Sequence, residues 1–174
     1  EAQQIKPIIG CEFYVCDDLT LRDKNMKRYH LVMLAKNLEG NHNLIKLDAI
    51  ANSEGFYYKA RIDKKVLRKY SGGLICMTAC LANDVAQAVK DGEENRGRQL
   101  IEEYIDIFGK DDFYLEVQNH GIEEEKKVVD FYEKISKEMG LKVVASCDAH
   151  FLKEEDSYAH EVMLAIQTNG DMNV

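Results

Sequence analysis

Short apolar runs along the chain alternate with segments in which apolar residues recur at helical spacing. Five of these runs predict β-strands, at residues 8–15, 29–35, 74–79, 113–117 and 141–147. Each run has the length of an ordinary strand and is shorter than most helices. Strands that are apolar along nearly their whole length and are separated by helices predict a parallel sheet that is buried on both faces.

Helical segments lie between and after these strands. Asp63 is placed to cap a helix over residues 64–70, which would end at Gly72 and Gly73. Further helices are predicted over residues 100–108, 128–139 and 154–167. This succession predicts an α/β fold, either an open doubly wound sheet or part of a (β/α) barrel. In both architectures ligands bind at the carboxyl ends of the strands.

Composition limits the class of protein. The 174 residues are close to the size of one ordinary domain, and 45% of them are hydrophobic, which suffices for a single core. The formal net charge of −8 disfavours tight, non-specific DNA binding by this chain alone, because phosphate contacts need local positive charge. The sequence has no run of apolar residues long enough to predict a membrane helix.

The start of the chain and its cysteines bear on its cellular compartment and on whether it is part of a longer protein. Residues 1–7 have neither the basic nor the apolar region of a signal peptide. The chain begins without methionine, and its first apolar run is typical of the middle of a fold, so we expect a fragment of a longer protein. The five cysteines, an odd number without a CxxC pair, favour reduced thiols and a cytoplasmic protein.

The sharpest local feature follows the fifth predicted strand, where Asp148 and His150 lie in the sequence CDAH. Residues two apart in an extended segment point to the same side, and these two stand at the carboxyl end of a strand. A carboxylate and an imidazole at that place suit a divalent metal, or a base with its orienting partner. The alternative is a capping aspartate followed by a partly exposed histidine.

Two further polar residues lie in predicted strands. Glu12 interrupts the apolar sequence IIGCEFYV, where a buried carboxylate needs a partner or a metal. Alternatively, this strand is at an edge of the sheet and Glu12 faces water. His30 begins the second strand, YHLVMLA. A histidine at a strand terminus is more often structural, and the start of a strand is the wrong end for a site at the carboxyl ends.

Cysteines and other histidines give weaker signals. Cys80 and His120 follow the third and fourth predicted strands and would therefore lie at the same rim. Cys76 and Cys80 resemble half a zinc site only weakly, because two cysteines four residues apart are more often buried, inert thiols. His42 and His160 fall within helical segments and are expected to be surface or core residues.

One stretch, FYYKARIDKK at residues 56–65, combines aromatic and basic residues. Aromatic rings that stack on bases and cations that contact phosphates are what single-stranded nucleic acid requires. A solvated helix face beside a few core aromatic residues explains the same pattern, and we favour this second interpretation.

Taken together, these segments resemble the PHP (polymerase and histidinol phosphatase) domain family, in the branch found in bacterial replicative DNA polymerase III α subunits. The matching segments follow the order of the family along nearly the whole chain: KPIIGCEFYV, HLVMLAKN, EGFYYKARIDKKVL, SGGLICMTACLANDV, DFYLEVQNHGI, KVVASCDAHFL and AHEVMLAIQT. The resemblance implies a distorted (β/α)7 barrel without its first strands. Residues 1–174 would form roughly the C-terminal two-thirds of that domain, with no second domain.

The resemblance also implies a metal centre. Members of the family bind up to three metal ions, usually zinc, manganese or magnesium, at the rim of the barrel. The later ligands of the family's set match five residues of this chain, namely Glu12, His30, Cys80, Asp148 and His150. His120 matches a recurrent QxHG position, which would orient a ligand or the scissile phosphate.

The chain departs from the family pattern at its start. Its five histidines include no HxH pair, and no TDH motif occurs, so the first four ligands of the family would precede Glu1. The polymerase carboxylates of the family would follow Val174. We therefore expect this chain alone to be inactive as an enzyme and unable to synthesise DNA, with a metal site that is incomplete or absent.

The resemblance implies that the intact protein is a DNA-directed DNA polymerase whose PHP domain acts as a metal-dependent 3′-5′ exonuclease. Asp148, His150 and His120 would then be catalytic, and the partners would be DNA and other replisome subunits. One alternative is a structural or interaction module of the polymerase with a vestigial metal site. The other is a free-standing PHP phosphoesterase. Because a barrel without its first strands exposes an apolar edge, self-association of this chain is also expected.

Overall fold

The computed structural model describes residues 5–170. The strands are β1 (Gly10–Cys16), β2 (Tyr29–Ala35), β3 (Arg61–Asp63), β4 (Leu74–Met77), β5 (Phe113–Val117) and β6 (Lys142–Ala145). The helices are α1 (Leu38–Ser53), α2 (Lys64–Tyr70), α3 (Asp84–Lys90), α4 (Glu94–Phe108), α5 (Glu123–Met139) and α6 (Ser157–Thr168), with a 3₁₀ helix at Glu154–Asp156. The six strands form one sheet in the order β3-β1-β2-β4-β5-β6.

The sequence pattern located most of these elements. β2 and β5 have the predicted bounds. α2 also has its predicted bounds, and the Asp63 carboxylate caps it by accepting a hydrogen bond from the Val66 backbone amide at 2.9 Å. β3 was not predicted, because three residues are too few to show an alternating pattern. The seven-residue helix α3 was not predicted either.

The sheet is mixed rather than wholly parallel, which corrects the expectation drawn from the apolar runs. β2 pairs antiparallel with both β1 and β4, whereas the other neighbouring strands are parallel. β2 therefore begins at the edge of the sheet where the other five strands end. An apolar run does not reveal the direction of its strand, since both directions bury the same side chains.

One face of the sheet forms the hydrophobic core. Phe13 and Val15 of β1 and Leu31 and Met33 of β2 are buried on this face, together with residues from each of α1 to α5. The opposite face is more open, because the side chains that point to it from the middle of β1 and β2, among them Glu12, are exposed or half-buried. The expectation of a sheet buried on both faces is therefore wrong for the described part of the chain.

This architecture is a mixed α/β fold that is consistent with the predicted PHP-type fold. Within residues 5–170 the sheet does not close into a barrel, and β3 and β6 are its two edge strands. α6 lies outside the core, since none of its residues is buried.

Two expectations from composition concern residues that the structure describes. All five cysteines are free thiols, as the odd count and the missing CxxC pair predicted. Among the described helices, none is both long enough and apolar enough to cross a membrane.

Candidate metal centre

Three of the candidate ligands converge on the open face of the sheet, towards the carboxyl ends of its parallel strands. Ligand atoms of Glu12, His30 and Cys80 all lie within 4.8 Å of one another, and we call these residues the ligand triad. His30 Nδ1 pairs with Glu12 Oε1 and lies 3.6 Å from Cys80 Sγ. Within residues 5–170 no other group of three such side chains converges in this way.

The antiparallel register of β1 and β2 brings Glu12 to His30. Glu12 lies opposite Val32, and Tyr14 lies opposite His30. Glu12 and His30 are therefore diagonal neighbours on one face of the sheet, within reach of each other's side chains. β1 is paired on both edges, so the exposure of Glu12 comes from the open face and not from an edge strand. The reversed direction of β2 explains how a residue at the start of a strand lies towards the carboxyl ends of the parallel strands.

The loop after β4 fixes the position of Cys80. The His30 backbone amide donates a hydrogen bond to Ala82 O at 3.1 Å, and the Asn83 side chain donates to His30 O at 3.4 Å. Asn83 is fully buried, and its side chain also caps α3. Ala79 has a positive φ of 55°, which turns the chain as it leaves β4. The loop that carries Cys80 is thus tied to the strand that carries His30.

The surroundings of Cys80 oppose formation of a thiolate in the absence of a cation. Burial raises the pKa of the Cys80 thiol, the Ala82 backbone amide partly opposes this rise, and the negative charges of Asp148 and Glu12 add to it. A cation at the ligand triad would offset these charges. Thiolate, imidazole and carboxylate are ligands that zinc takes in proteins, so the donor set fits a divalent metal ion.

Asp148 and His150 line a cleft next to the triad. The cleft has a volume of about 650 Å³, and its lining also includes Cys80 and His120. His150 Nδ1 lies 2.7 Å from Asp148 O, which leaves His150 Nε2 as the ring nitrogen available to a ligand. Their ligand atoms do not join the triad within the described residues. Of the five predicted ligands, the structure therefore groups three and places two on the adjoining cleft.

His120 connects the loop after β5 to the loop that carries Asp148. Its Nδ1 lies 2.7 Å from Glu125 Oε1, and its Nε2 lies 2.8 Å from Cys147 O. The His120 backbone amide also donates to Glu125 Oε2 at 2.7 Å. The side-chain hydrogen bond to Glu125 and then the Cys147 carbonyl raise the pKa of His120. Both ring nitrogens are occupied in this arrangement, which suits positioning of the loop better than contact with a phosphate.

The His120–Glu125 pair predicts a defined pH dependence of stability. The pKa of His120 is raised above its ordinary 6.5. Its contribution to the free energy of unfolding is therefore complete below pH 6.5 and is lost as pH rises through the folded-state pKa. Burial raises the pKa of Glu125, but hydrogen bonds from His120 outweigh burial and hold it below its ordinary 4.5. The contribution of Glu125 is therefore present above pH 4.5 and is lost as pH falls through its folded-state pKa.

Urea unfolding of wild-type and His120→Gln protein tests this expectation. The loss of unfolding free energy in the variant should be largest near pH 5.5 and should shrink by about pH 8.5. His42→Gln is the control, because His42 is an exposed histidine on α1. An equal loss at both pH values would contradict the predicted protonation of His120.

Two residues near the cleft were missed or misjudged on sequence. His160, expected to be an ordinary surface or core residue, lines the cleft with its ring 5.6 Å from that of His150. Glu116 of β5 is only 7% exposed and shares a small cavity with Cys80. Its Oε2 has no hydrogen-bond partner among the described residues, although buried acceptors normally have one. A carboxylate inside the apolar sequence FYLEV is the same signal as Glu12 and would have identified it.

Two other residues that the sequence analysis considered, Cys76 and His42, lie outside the candidate site. Cys76 is fully buried in the core, and burial raises the pKa of its thiol well above the ordinary range, which favours the inert interpretation. His42 is exposed on α1, as expected of a surface residue.

Comparison with known proteins gives the family. The sequence profile of the PHP domain matches residues 1–120, a range that contains the whole ligand triad. Three similar relatives are each named DNA polymerase III subunit alpha. They come from Treponema pallidum (37% identity over 171 residues), Thermus aquaticus (40% over 172) and Helicobacter pylori (40% over 180). The alignments cover 96–97% of this chain but only 14–15% of the length of the relatives.

Proposed function

Because the chain belongs to the PHP domain family and is homologous to a small part of bacterial DNA polymerase III α subunits, we propose that it serves DNA replication as a metal-dependent 3′-5′ exonuclease module. The ligand triad is the observation that supports this proposal most directly. Its three side chains come from β1, β2 and the loop after β4, and they meet on the open face of the sheet, towards the carboxyl ends of the parallel strands, the side on which α/β proteins bind ligands.

The proposed ligand set consists of the triad, with Asp148 and His150 completing it from the cleft. When bound, zinc, manganese or magnesium supplies Lewis acidity that activates a water and stabilises negative charge on a phosphodiester. The Cys80 sulfur favours zinc or another softer ion at one position. Glu12 is half exposed, with a side-chain exposure of 49%, so a substrate phosphate can approach the triad from the open face of the sheet.

Two further residues, His120 and Glu125, are proposed to position the loop that carries Asp148. His120 holds the loop of Asp148 by its bond to Cys147 O, while buried Glu125 fixes the imidazole on the other side. Second-layer hydrogen bonds of this kind orient metal ligands and raise their affinity. Asp148 and His150 remain the candidates for direct action in the reaction, and His120 is proposed as a positioning residue.

Exonuclease assays test the proposal in the complete polypeptide that contains this domain. A 5′-labelled single-stranded oligonucleotide with zinc or manganese reports the removal of nucleotides from its 3′ end. Asp148→Ala should lower the rate by about 100-fold or more, because it removes a ligand that holds the metal. Asp111→Ala is the control, since Asp111 is an exposed aspartate just before the amino end of β5. An undiminished rate in Asp148→Ala would exclude this site.

A structural or interaction module with a vestigial metal site is the second candidate function. It is favoured by one observation, that Asp148 and His150 do not converge with the triad within residues 5–170. The domain would then support the polymerase, and it would meet DNA and other replisome subunits only through the intact protein. The relatives are polymerase subunits, which gives no support to a free-standing phosphoesterase.

Self-association of this chain stays a prediction. β6 is an edge strand on which Val143 is 43% exposed, and α6 exposes Met163 and Ile166. Apolar side chains beside an unpaired strand edge favour pairing with another chain. Light scattering should therefore give a mass above the 19.9 kDa of one chain. A clean monomer at high concentration would contradict this expectation.

A further inference from the structure

The turn between α1 and β3 exposes aromatic side chains to solvent. The Tyr58 ring meets the Tyr57 ring edge-on, with 4.7 Å between their centres, and most of its surface stays exposed. Phe56 is 55% exposed and Tyr58 is 70% exposed, and the neighbouring Lys59 is also exposed. Tyr58 at the tip of the turn has a positive φ of 60°, a conformation that bulky side chains rarely adopt. Such strain persists only where the surrounding structure enforces it, and it concentrates at ligand-binding sites.

A buried arginine holds this turn. Arg61 is 1% exposed, its Nε donates to Gly55 O at 2.9 Å, and its guanidinium lies 5.4 Å from the centre of the Tyr57 ring. The Tyr57 amide donates to Lys59 O at 3.0 Å, which closes the turn with Tyr58 at its tip. A ligand that stacks on an anchored turn pays little conformational entropy for ordering it.

The turn lies beside the ligand triad. Lys59 Nζ is 5.9 Å from the centre of the Tyr14 ring. The Tyr14 ring packs edge-on against the His30 ring, with 5.0 Å between their centres. Because His30 pairs with Glu12, a continuous series of contacts joins the exposed turn to the proposed metal ligands.

We propose that Phe56, Tyr58 and Lys59 form a binding subsite for single-stranded DNA that leads to the ligand triad. The inference rests on the proposed exonuclease function and adds the path of its substrate. Exposed rings stack on bases of any sequence, and a lysine beside them contacts the phosphates. Arg61 and Tyr57 anchor the stretch, and the exposed surfaces of Phe56 and Tyr58 stay accessible to a ligand. A solvated surface that binds no ligand is the alternative, and the binding measurements below separate the two.

The charge of the chain determines how this subsite would bind. A net charge of −8 limits the affinity that phosphate contacts provide, so stacking carries the larger share. The affinity should therefore fall only moderately as salt is raised. Lys59→Gln should reduce the steepness of log affinity against log salt by about 1, which is what the loss of one phosphate contact produces.

Fluorescence anisotropy of a labelled single-stranded oligonucleotide, measured in EDTA, separates binding from hydrolysis. Tyr58→Gly removes the ring and relieves the positive φ, so it should weaken binding about 10-fold while the melting temperature is unchanged or higher. Tyr58→Phe keeps the ring and should bind like wild type. Tyr158→Ala is the control, because Tyr158 on α6 is similarly exposed, at 68%.

Lys46→Gln is the matched control for Lys59→Gln. Lys46 is exposed and lies 5.6 Å from the centre of the Tyr70 ring, much as Lys59 lies over Tyr14.

Wild-type affinity in both Tyr58→Gly and Lys59→Gln would overturn the subsite. A melting temperature that falls in Tyr58→Gly would also overturn it, because the ring would then serve the fold. Since binding is measured without metal, loss of exonuclease activity with intact DNA binding would refute the proposed function and leave the subsite standing.

Discussion

Replacing His30 with glutamine is expected to weaken the affinity of the ligand triad for zinc by at least about 100-fold. The reason is the central place of His30, whose Nδ1 faces both Glu12 and Cys80. Metal content is measured after purification without chelator, and affinity by competition with a chromophoric chelator. Cys80→Ser should give a similar loss, because a hydroxyl is a much poorer zinc ligand than a thiolate.

Cys11→Ser is the matched control for the metal experiment, since Cys11 is a half-buried cysteine on β1 outside the triad. It should retain the metal content of the wild-type chain. Asp148→Ala reports whether the cleft residues take part, because a loss of metal in this variant requires Asp148 to reach the bound ion. Equal zinc affinity in wild type and His30→Gln would show that the triad is not a metal site.

Replacing Arg61 with alanine is expected to lower the free energy of unfolding by about 4 kcal/mol. The guanidinium is 1% exposed and donates to three backbone carbonyls and one thioether, those of Gly55, Leu19, Leu21 and Met26. Alanine would leave these acceptors without their donor and would also create a cavity. Urea unfolding at neutral pH measures the loss.

Two further arginine variants separate geometry from charge. Arg61→Lys keeps the charge but cannot donate in the three directions of the guanidinium, so it should recover less than half of the loss. Arg68→Ala removes an exposed arginine that pairs with Asp106, and it should cost less than about 1 kcal/mol. A cost for Arg61→Ala as small as that of Arg68→Ala would contradict a structural role for the buried guanidinium.

Features that depend on neighbours along the chain could be predicted from the sequence. The bounds of β2, β5 and α2 followed from apolar spacing, and Asp63 was recognised as a cap because its contact lies only three residues away. The direction of β2 could not be predicted in this way. It depends on the connections and on the partners of the strand, and the same apolar residues are buried in either direction.

In the candidate site, too, the features that are local in the sequence could be predicted, and those that depend on distant residues could not. Asp148 and His150 stood out because a single strand end carries both. Glu12 and His30 stayed ambiguous when judged by their residues, since their proximity comes from the register between two strands. The resemblance to the PHP family assigned them, and the structure brings them together. The strain at Tyr58 had no sequence signal, because a tyrosine at that position does not reveal a positive φ.

The register of β1 and β2 also determines which changes in chain length homologous domains can accept. Residues 17–28 join the two strands, and a loop of this length closes at nearly the same entropic cost with a few residues more or fewer. One residue inserted between Glu12 and Val15 would instead turn the Glu12 side chain towards the helix-covered face, because successive side chains of a strand alternate. Natural insertions and deletions should therefore accumulate in the connecting loop and avoid the seven residues of β1.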